Sequence, residues 1–109
     1  MNAEFLGEFE QMVLLSILRL GERAYGLAVR DELEAVAGRR PSSGALYTTL
    51  ERLERKGLME STAGESSDAR GGRARRYLAV TPAGRRALGH SRRALVALWD
   101  GLEAALDGS

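Results

Sequence analysis

A chain of 109 residues, 44% of them apolar, has room for one buried core, so a single domain is the default expectation. The absence of cysteine excludes disulfides and cysteine-ligated zinc and allows a reducing compartment, and no apolar run approaches the roughly 20 residues of a membrane span. The net charge of +1 hides a segregation of signs: residues 1–38 carry seven acids and three arginines, residues 39–93 thirteen bases and five acids, and residues 94–109 three acids and no base. A basic middle between acidic ends points either to a localised anion-binding surface or to a solvated face.

The opening MNAEFLGEFE is acidic and lacks the positive flank of a signal peptide, which places the protein in the cytoplasm with no membrane partner. Residues 8–20, EFEQMVLLSILRL, put Phe9, Met12, Val13, Leu14, Leu15, Ile17, Leu18 and Leu20 around most of a helix circumference. One small core could hardly cover such a helix, so one flank is expected to meet a second chain. Gly21 stops it. Ala24 to Val36 follows as an amphipathic helix with Leu27, Val29, Leu33 and Val36 as its apolar positions, ended by Gly38.

In RRPSSG, Pro41 disfavours helix at Arg40, and Ser42 or Ser43 offers a capping oxygen to the next helix. That third helix is expected from about Gly44 to Lys56, with Leu46, Leu50 and Leu53 stacked on one face. At 100° per residue the opposite face presents Gly44, Thr48, Glu51, Arg52 and Arg55, with Tyr47 on the flank. Leu58–Thr62 and Arg76–Val80 are short enough to be strands, and the intervening AGESSDARGGRAR has the composition of a long hairpin loop. Thr81 then Pro82 is a helix start, with the helical pattern continuing to about Asp107. Leu88, Leu95 and Leu102 repeat at seven with Leu98 between them, which suits a helix that pairs with its twin.

The expected fold is therefore mostly α with a small β-hairpin: a winged helix-turn-helix with an N-terminal buried helix and a C-terminal dimerisation helix. Residues 1–81 form the DNA-binding part and residues 82–109 the dimerisation helix, together one structural unit. An enzyme fails on inventory. His90 is the sole histidine, sits in a polar basic stretch and has no evident metal or nucleophile partner, so it is expected at the surface. Neither PSSG nor ARGGRAR has the spacing and following lysine of a phosphate-binding P-loop. No cofactor and no metal are expected.

The segments LGEFEQMVLLSIL at 6–18, AYGLAVRDELE at 24–34, PSSGALYTTLERLERKGLMES at 41–61 and RARRYLAVTPAGRRAL at 73–88 resemble, in order and spacing, those of the PadR-like transcriptional regulators. The chain is most similar to that family's compact branch, in which a single C-terminal helix serves dimerisation. The resemblance implies a homodimeric repressor on a palindromic double-stranded DNA operator, often released by a small aromatic or drug-like effector.

In that frame the third helix enters the major groove with Ser42, Ser43, Gly44 and Tyr47 near phosphates and first base edges, where free amides and the helix dipole favour an anion. Thr48 and Arg52 are the candidates for base-edge contact. Tyr47 alternatively packs against the second helix, and Thr48 is alternatively a plain surface residue. Arg70, Arg73, Arg75 and Arg76 on the wing reach phosphates or the minor groove, or else belong to a solvated loop. Arg55 and Lys56 serve either the helix dipole or DNA. Tyr25 reaches a phosphate or is a core-edge tyrosine. Glu51 and Glu54 pair with Arg55 or Arg52, or Glu51 accepts from a cytosine edge. Trp99 beside the heptad seam, with Phe9, Met12, Leu95, Leu98 and Leu102, forms an effector pocket or a plain dimer interface. The rival reading from another class is a winged helix that docks proteins without sequence-specific DNA binding.

Overall fold

The computed structural model describes residues 5–64 and 75–107. Helix α1 spans Glu8–Leu20 and α2 spans Gly26–Ala37, joined by a short 3₁₀ turn at Gly21–Arg23. Helix α3 covers Ser43–Arg55, and strands β1, Met59–Ala63, and β2, Arg76–Val80, form an antiparallel hairpin in which Met59 faces Val80 and Ala63 faces Arg76. Helix α4 runs Pro82–Trp99 and a short α5 covers Glu103–Asp107.

Helix α1 is central, as its near-continuous apolar surface demands. Val13, Leu14 and Ile17 are buried against Val29 and Leu33 of α2, Leu46, Leu50 and Leu53 of α3, Leu78 and Val80 of the hairpin, and Leu88 of α4. Leu15 of the same helix is 47% exposed, so one flank of α1 does lie open in the single chain. The hairpin is fastened by the Leu78 amide, which donates to the Ala24 carbonyl at 2.8 Å and ties β2 to the segment ahead of α2.

The start of α4 is fixed by Thr81, whose hydroxyl accepts from the Gly84 amide at 3.0 Å and donates to the Gly57 carbonyl at 2.7 Å. Gly84 lies so close to the Leu58 carbonyl and the Val80 side chain that a Cβ there would overlap both. The turn between α3 and β1 and the first turn of α4 are thus packed backbone to backbone.

Three sequence expectations need correction. Helix α2 starts at Gly26, with Tyr25 in extended conformation as its N-cap, and Leu27 and Val36 are exposed instead of joining the core. The third helix starts one residue earlier than expected, at Ser43, because Ser42 is the cap. The C-terminal helix is not continuous to Asp107: Asp100 leaves the helical region and Gly101 takes φ +83°, a left-handed conformation that glycine adopts without a Cβ clash. Leu102 therefore lies beyond a turn, and α5 contributes nothing to the core. No helix among the described residues is long and apolar enough to cross a membrane.

Candidate nucleic-acid interface

The amino end of α3 is built to stay open. Ser42 caps it, its hydroxyl accepting from the Ala45 amide at 3.1 Å. The Ser43 and Gly44 amides point out of the first turn with no acceptor among the described residues, and a Cβ built on Gly44 would meet nothing within 4 Å. Two free amides at the positive end of a helix dipole, with bare backbone beside them, are outward-facing hydrogen-bond donors of the kind that suits an anion. Arg30 of α2 holds this end in place: its Nε donates to the Pro41 carbonyl at 3.0 Å and its Nη1 to Ser43 Oγ at 3.1 Å. Sequence reasoning passed over Arg30, because an arginine on the polar face of an amphipathic helix carries no local signal of a contact eleven residues away.

Along the outer face of α3, Gly44, Thr48, Glu51 and Arg55 are exposed, opposite the buried leucines. Tyr47 is 53% exposed yet packs its hydroxyl end onto Gly26, where a Cβ would overlap it. The structure thus places Tyr47 against α2, one of its two expected positions. Arg52 does not point squarely outward. Its Nη1 lies 4.0 Å from Glu10 Oε2, on the α1 side of the helix, where Lys56 Nζ approaches the same oxygen at 3.1 Å.

Glu10 is only 7% exposed and its other oxygen accepts from the Gly7 amide at 2.9 Å. Burial by itself would push its carboxyl up, but the Gly7 amide, the Lys56 ammonium and Arg52 together hold it below its ordinary value. This charged node fixes the carboxyl end of α3 to α1.

On the other flank, a cleft of about 550 Å³ separates α3 from the hairpin, lined by Tyr47, Glu51, Glu54, Ser61 and Arg76 among others. Arg76 Nη2 donates to Ser61 Oγ at 2.8 Å, and that hydroxyl donates to Glu54 Oε2 at 3.0 Å. Glu54 is thus engaged by the hairpin and not by Arg52 or Arg55 of its own helix. At the wing base the Arg75 guanidinium lies 4.3 Å from the centre of the Tyr25 ring, which meets Tyr77 edge-on at 6.1 Å. Tyr25 is accordingly a core-edge tyrosine beneath a wing arginine. Arg70 and Arg73 lie outside the described residues.

The basic middle of the sequence is divided in space. Arg39 pairs with Glu8, and Arg40 with Asp31 and Glu34, so these two face the acidic N-terminal helices. Arg85, Arg86, Arg92 and Arg93 stand on α4, where Arg85 and Arg92 line the space between α4 and α1. Arg52 and Lys56 meet Glu10, which leaves Arg55 at the carboxyl end of α3 and Arg75 and Arg76 at the wing base.

The expected pocket set is also divided. Trp99, 45% exposed, lines a trough of about 630 Å³ between α1 and α4 with Leu15, Leu18, Leu88, Leu95 and Arg92. Leu98 and Leu102 join Leu95 and Trp99 on a shallower apolar surface. Phe9 and Met12 do not reach it within one chain: Met12 lines a separate groove between α1 and α2, and Phe9 lies under the Arg39 guanidinium at 5.1 Å. His90 is half-buried rather than a surface residue. Its ring meets that of Phe5 at a tilt of 48° with centroids 4.7 Å apart, and its Nε2 has no hydrogen-bond partner among the described residues. The described residues contain no group of three or more His, Cys, Asp or Glu side chains able to hold a metal.

Residues 14–90, which take in α2, α3, the hairpin and the start of α4, match the family model for PadR-like transcriptional regulators. The chain belongs to the PadR-like family. That family is one of transcriptional regulators and not of enzymes. The chain is 52% identical over 58 residues to a transcriptional regulator of Mycobacterium tuberculosis, a match covering 53% of this chain and 50% of the other. It therefore spans about half the length of that curated relative. Among solved structures it is similar to a PadR family transcriptional regulator from Eggerthella lenta, with a TM-score of 0.68, 30% identity, and 94% and 88% of the two chains covered. A PadR-like transcriptional regulator from Bacillus cereus aligns with a TM-score of 0.73 and 25% identity over 93% of each chain. The winged-helix fold of these PadR-like relatives accounts for the order helix, helix, helix, hairpin, helix. The family model's match ends at His90, and the exposed leucines of the C-terminal region follow it.

Proposed function

We propose that this PadR-like chain is a sequence-specific DNA-binding regulator that acts as a homodimeric repressor on a palindromic operator, in the cytoplasm. The observation that carries the reading is the open amino end of α3, where the Ser43 and Gly44 amides stand free beside a bare backbone while Arg30 holds the turn rigid. On a duplex, Ser42, Ser43 and Gly44 would take a phosphate and Thr48 would meet base edges in the major groove. Arg52 is a second base reader in this account: the 4.0 Å separation from Glu10 is loose enough for its long side chain to swing outward. The wing arginines Arg75 and Arg76, with Arg70 and Arg73, supply the phosphate or minor-groove contacts. Tyr25 and Tyr47 act beneath these groups, the first supporting Arg75 and the second spacing α3 from α2.

In the dimer, Leu95, Leu98 and Leu102 meet their counterparts, and Trp99 forms the wall against which a planar aromatic effector sits between the two copies. Effector binding there would alter the spacing of the two α3 helices and release the operator. Titration of aromatic acids and hydrophobic dyes against Trp99 fluorescence tests this part, and an emission indifferent to all of them removes the effector from the account.

The DNA reading is tested by affinity for a duplex between 50 and 200 mM salt. Several phosphate contacts predict a loss of roughly 10³-fold over that range, and Arg75→Ala with Arg76→Ala should flatten the slope by about two contacts. An affinity independent of salt would transfer the protein to the class of winged helices that dock proteins.

A further inference from the structure

The two arginines at the wing base are in different states. Neighbouring residues of a strand face opposite ways, so Arg76 turns to the α3 cleft, where Ser61 and through it Glu54 engage its guanidinium, while Arg75 turns to the other side and lies over the Tyr25 ring. On that side is a separate space of about 270 Å³, lined by Arg23, Arg75, Tyr25, Tyr77 and Glu22 among others. Arg23 and Glu22 are exposed, and neither Arg23, Glu22 nor Arg75 has an ion-pair partner among the described residues. Two cations thus border one small space with no anion paired to either, an arrangement that mutual repulsion disfavours and that a bound anion relieves.

Backbone contacts set the spacing of the two. Arg23 closes the 3₁₀ turn ahead of α2, and Ala24, next in the chain, is fully buried with its carbonyl accepting from the Leu78 amide of β2. Arg75 is fixed from the other side. Its carbonyl accepts from the Gly64 amide, its guanidinium lies 4.3 Å from the centre of the Tyr25 ring, and that ring is met edge-on by Tyr77. A contact made by Arg75 here therefore forfeits little side-chain freedom. The space also lies one element away from the amino end of α3. Gly26, beside Tyr25, carries the hydroxyl end of Tyr47, which is one turn along α3 from Gly44. Packed elements stand about 8–10 Å apart, and the major groove is about 12 Å wide, so an α3 seated in the groove brings the turn ahead of α2 to the strand that borders it.

We propose that Arg23 and Arg75 together hold one backbone phosphate of the duplex, on the strand bordering the groove that α3 enters, with Tyr25 as the shelf that keeps Arg75 turned toward it. This rests on the DNA-binding reading above and adds to it Arg23, a residue in a polar turn that carries no motif. A guanidinium on either side offers the phosphate oxygens two planar donor forks. The contact touches no base edge, so it sets affinity and the register of α3 in the groove, and leaves sequence preference to the α3 side chains.

The test is the duplex affinity of full-length Arg23→Ala between about 50 and 200 mM salt, with circular dichroism to verify the fold, which an exposed side chain does not support. Loss of one phosphate contact lowers the slope of log affinity on log salt by about 0.9, so across that range the wild type should lose about 3.5-fold more affinity than the variant. At a single salt concentration the variant should bind roughly tenfold more weakly, alike on selected and on scrambled duplexes. Arg19→Ala removes the same charge from the end of α1, where Arg19 pairs with Glu32, and should leave the slope as it is. A wild-type slope in Arg23→Ala, or an equal flattening by Arg19→Ala, would overturn the proposal. Saturable binding of inorganic phosphate that Arg23→Ala abolishes while the duplex slope stays unchanged would also overturn it, by giving the space to a free anion. A wild type whose affinity ignores salt would sink the DNA reading and this contact with it, an outcome visible before any variant is made.

Discussion

Two rows of leucines in this chain give the same signal in the sequence and have opposite fates in the structure. Leu46, Leu50 and Leu53 on α3 are buried in the core, whereas Leu95, Leu98, Leu102 and Leu106 along the end of α4 and α5 are exposed. Periodic leucines state that a face must be covered and say nothing of which chain covers it. The neighbours decide. Helix α3 is enclosed by α1, α2 and the hairpin of its own chain, while the C-terminal arm runs past the edge of the core in a molecule 56 Å long and only 22 Å thick.

The comparison breaks most clearly at its buried end. Leu46→Ala removes a fully buried side chain and should cost about 3–4 kcal/mol in urea denaturation, with a midpoint shift that survives dilution. If that loss grew with protein concentration, the α3 row would also belong to an interface. Next in size is Gly84→Ala, which forces a methyl into the Leu58 carbonyl and should cost about 2–3 kcal/mol by the same measurement. A neutral result would mean that α4 can slide on the hairpin, and the arm with it.

Glu10→Gln sharpens the contrast in how each region is charged. Losing the charge beside Lys56 should cost about 2 kcal/mol near neutral pH. Because the folded carboxyl is held below its ordinary value of 4.5, its contribution is present above that pH and is lost as pH falls through the lowered folded value. The variant and the wild type should therefore converge in acid. A difference that persists there would assign the loss to packing instead of charge. The smallest expected effect is Leu98→Ala, under about 0.5 kcal/mol on folding of a dilute monomer, since the side chain is 72% exposed. Its effect should appear only in the dimer dissociation constant.

What the sequence disclosed follows the range of its signals. The bounds of α1, the serine cap, the β2 strand and the Thr81–Pro82 start are written in residues next to one another, and each is found in the structure. The break at Gly101 was obscured because one glycine in a helical pattern costs only about 1 kcal/mol, and Leu102 keeps the heptad in register across it. Leu27 and Val36 fit a helical stripe, yet lie past the edge of what α1 and α3 can cover. Arg30, the Glu10 node and the stacking of Arg75 on Tyr25 depend on segments 11 to 50 residues apart, and no pattern within a helix announces them. The basic middle was legible as a sum but not as a distribution: its arginines divide among α3, the wing, the N-terminal helices and the trough.

Selection of the purified chain against a library of random duplexes tests the central claim most directly. The account predicts enrichment of a palindrome whose half-sites lie about one helical turn apart, as two α3 amino ends of a symmetric dimer require. Recovery of unenriched sequence, with binding unchanged by salt, would contradict it.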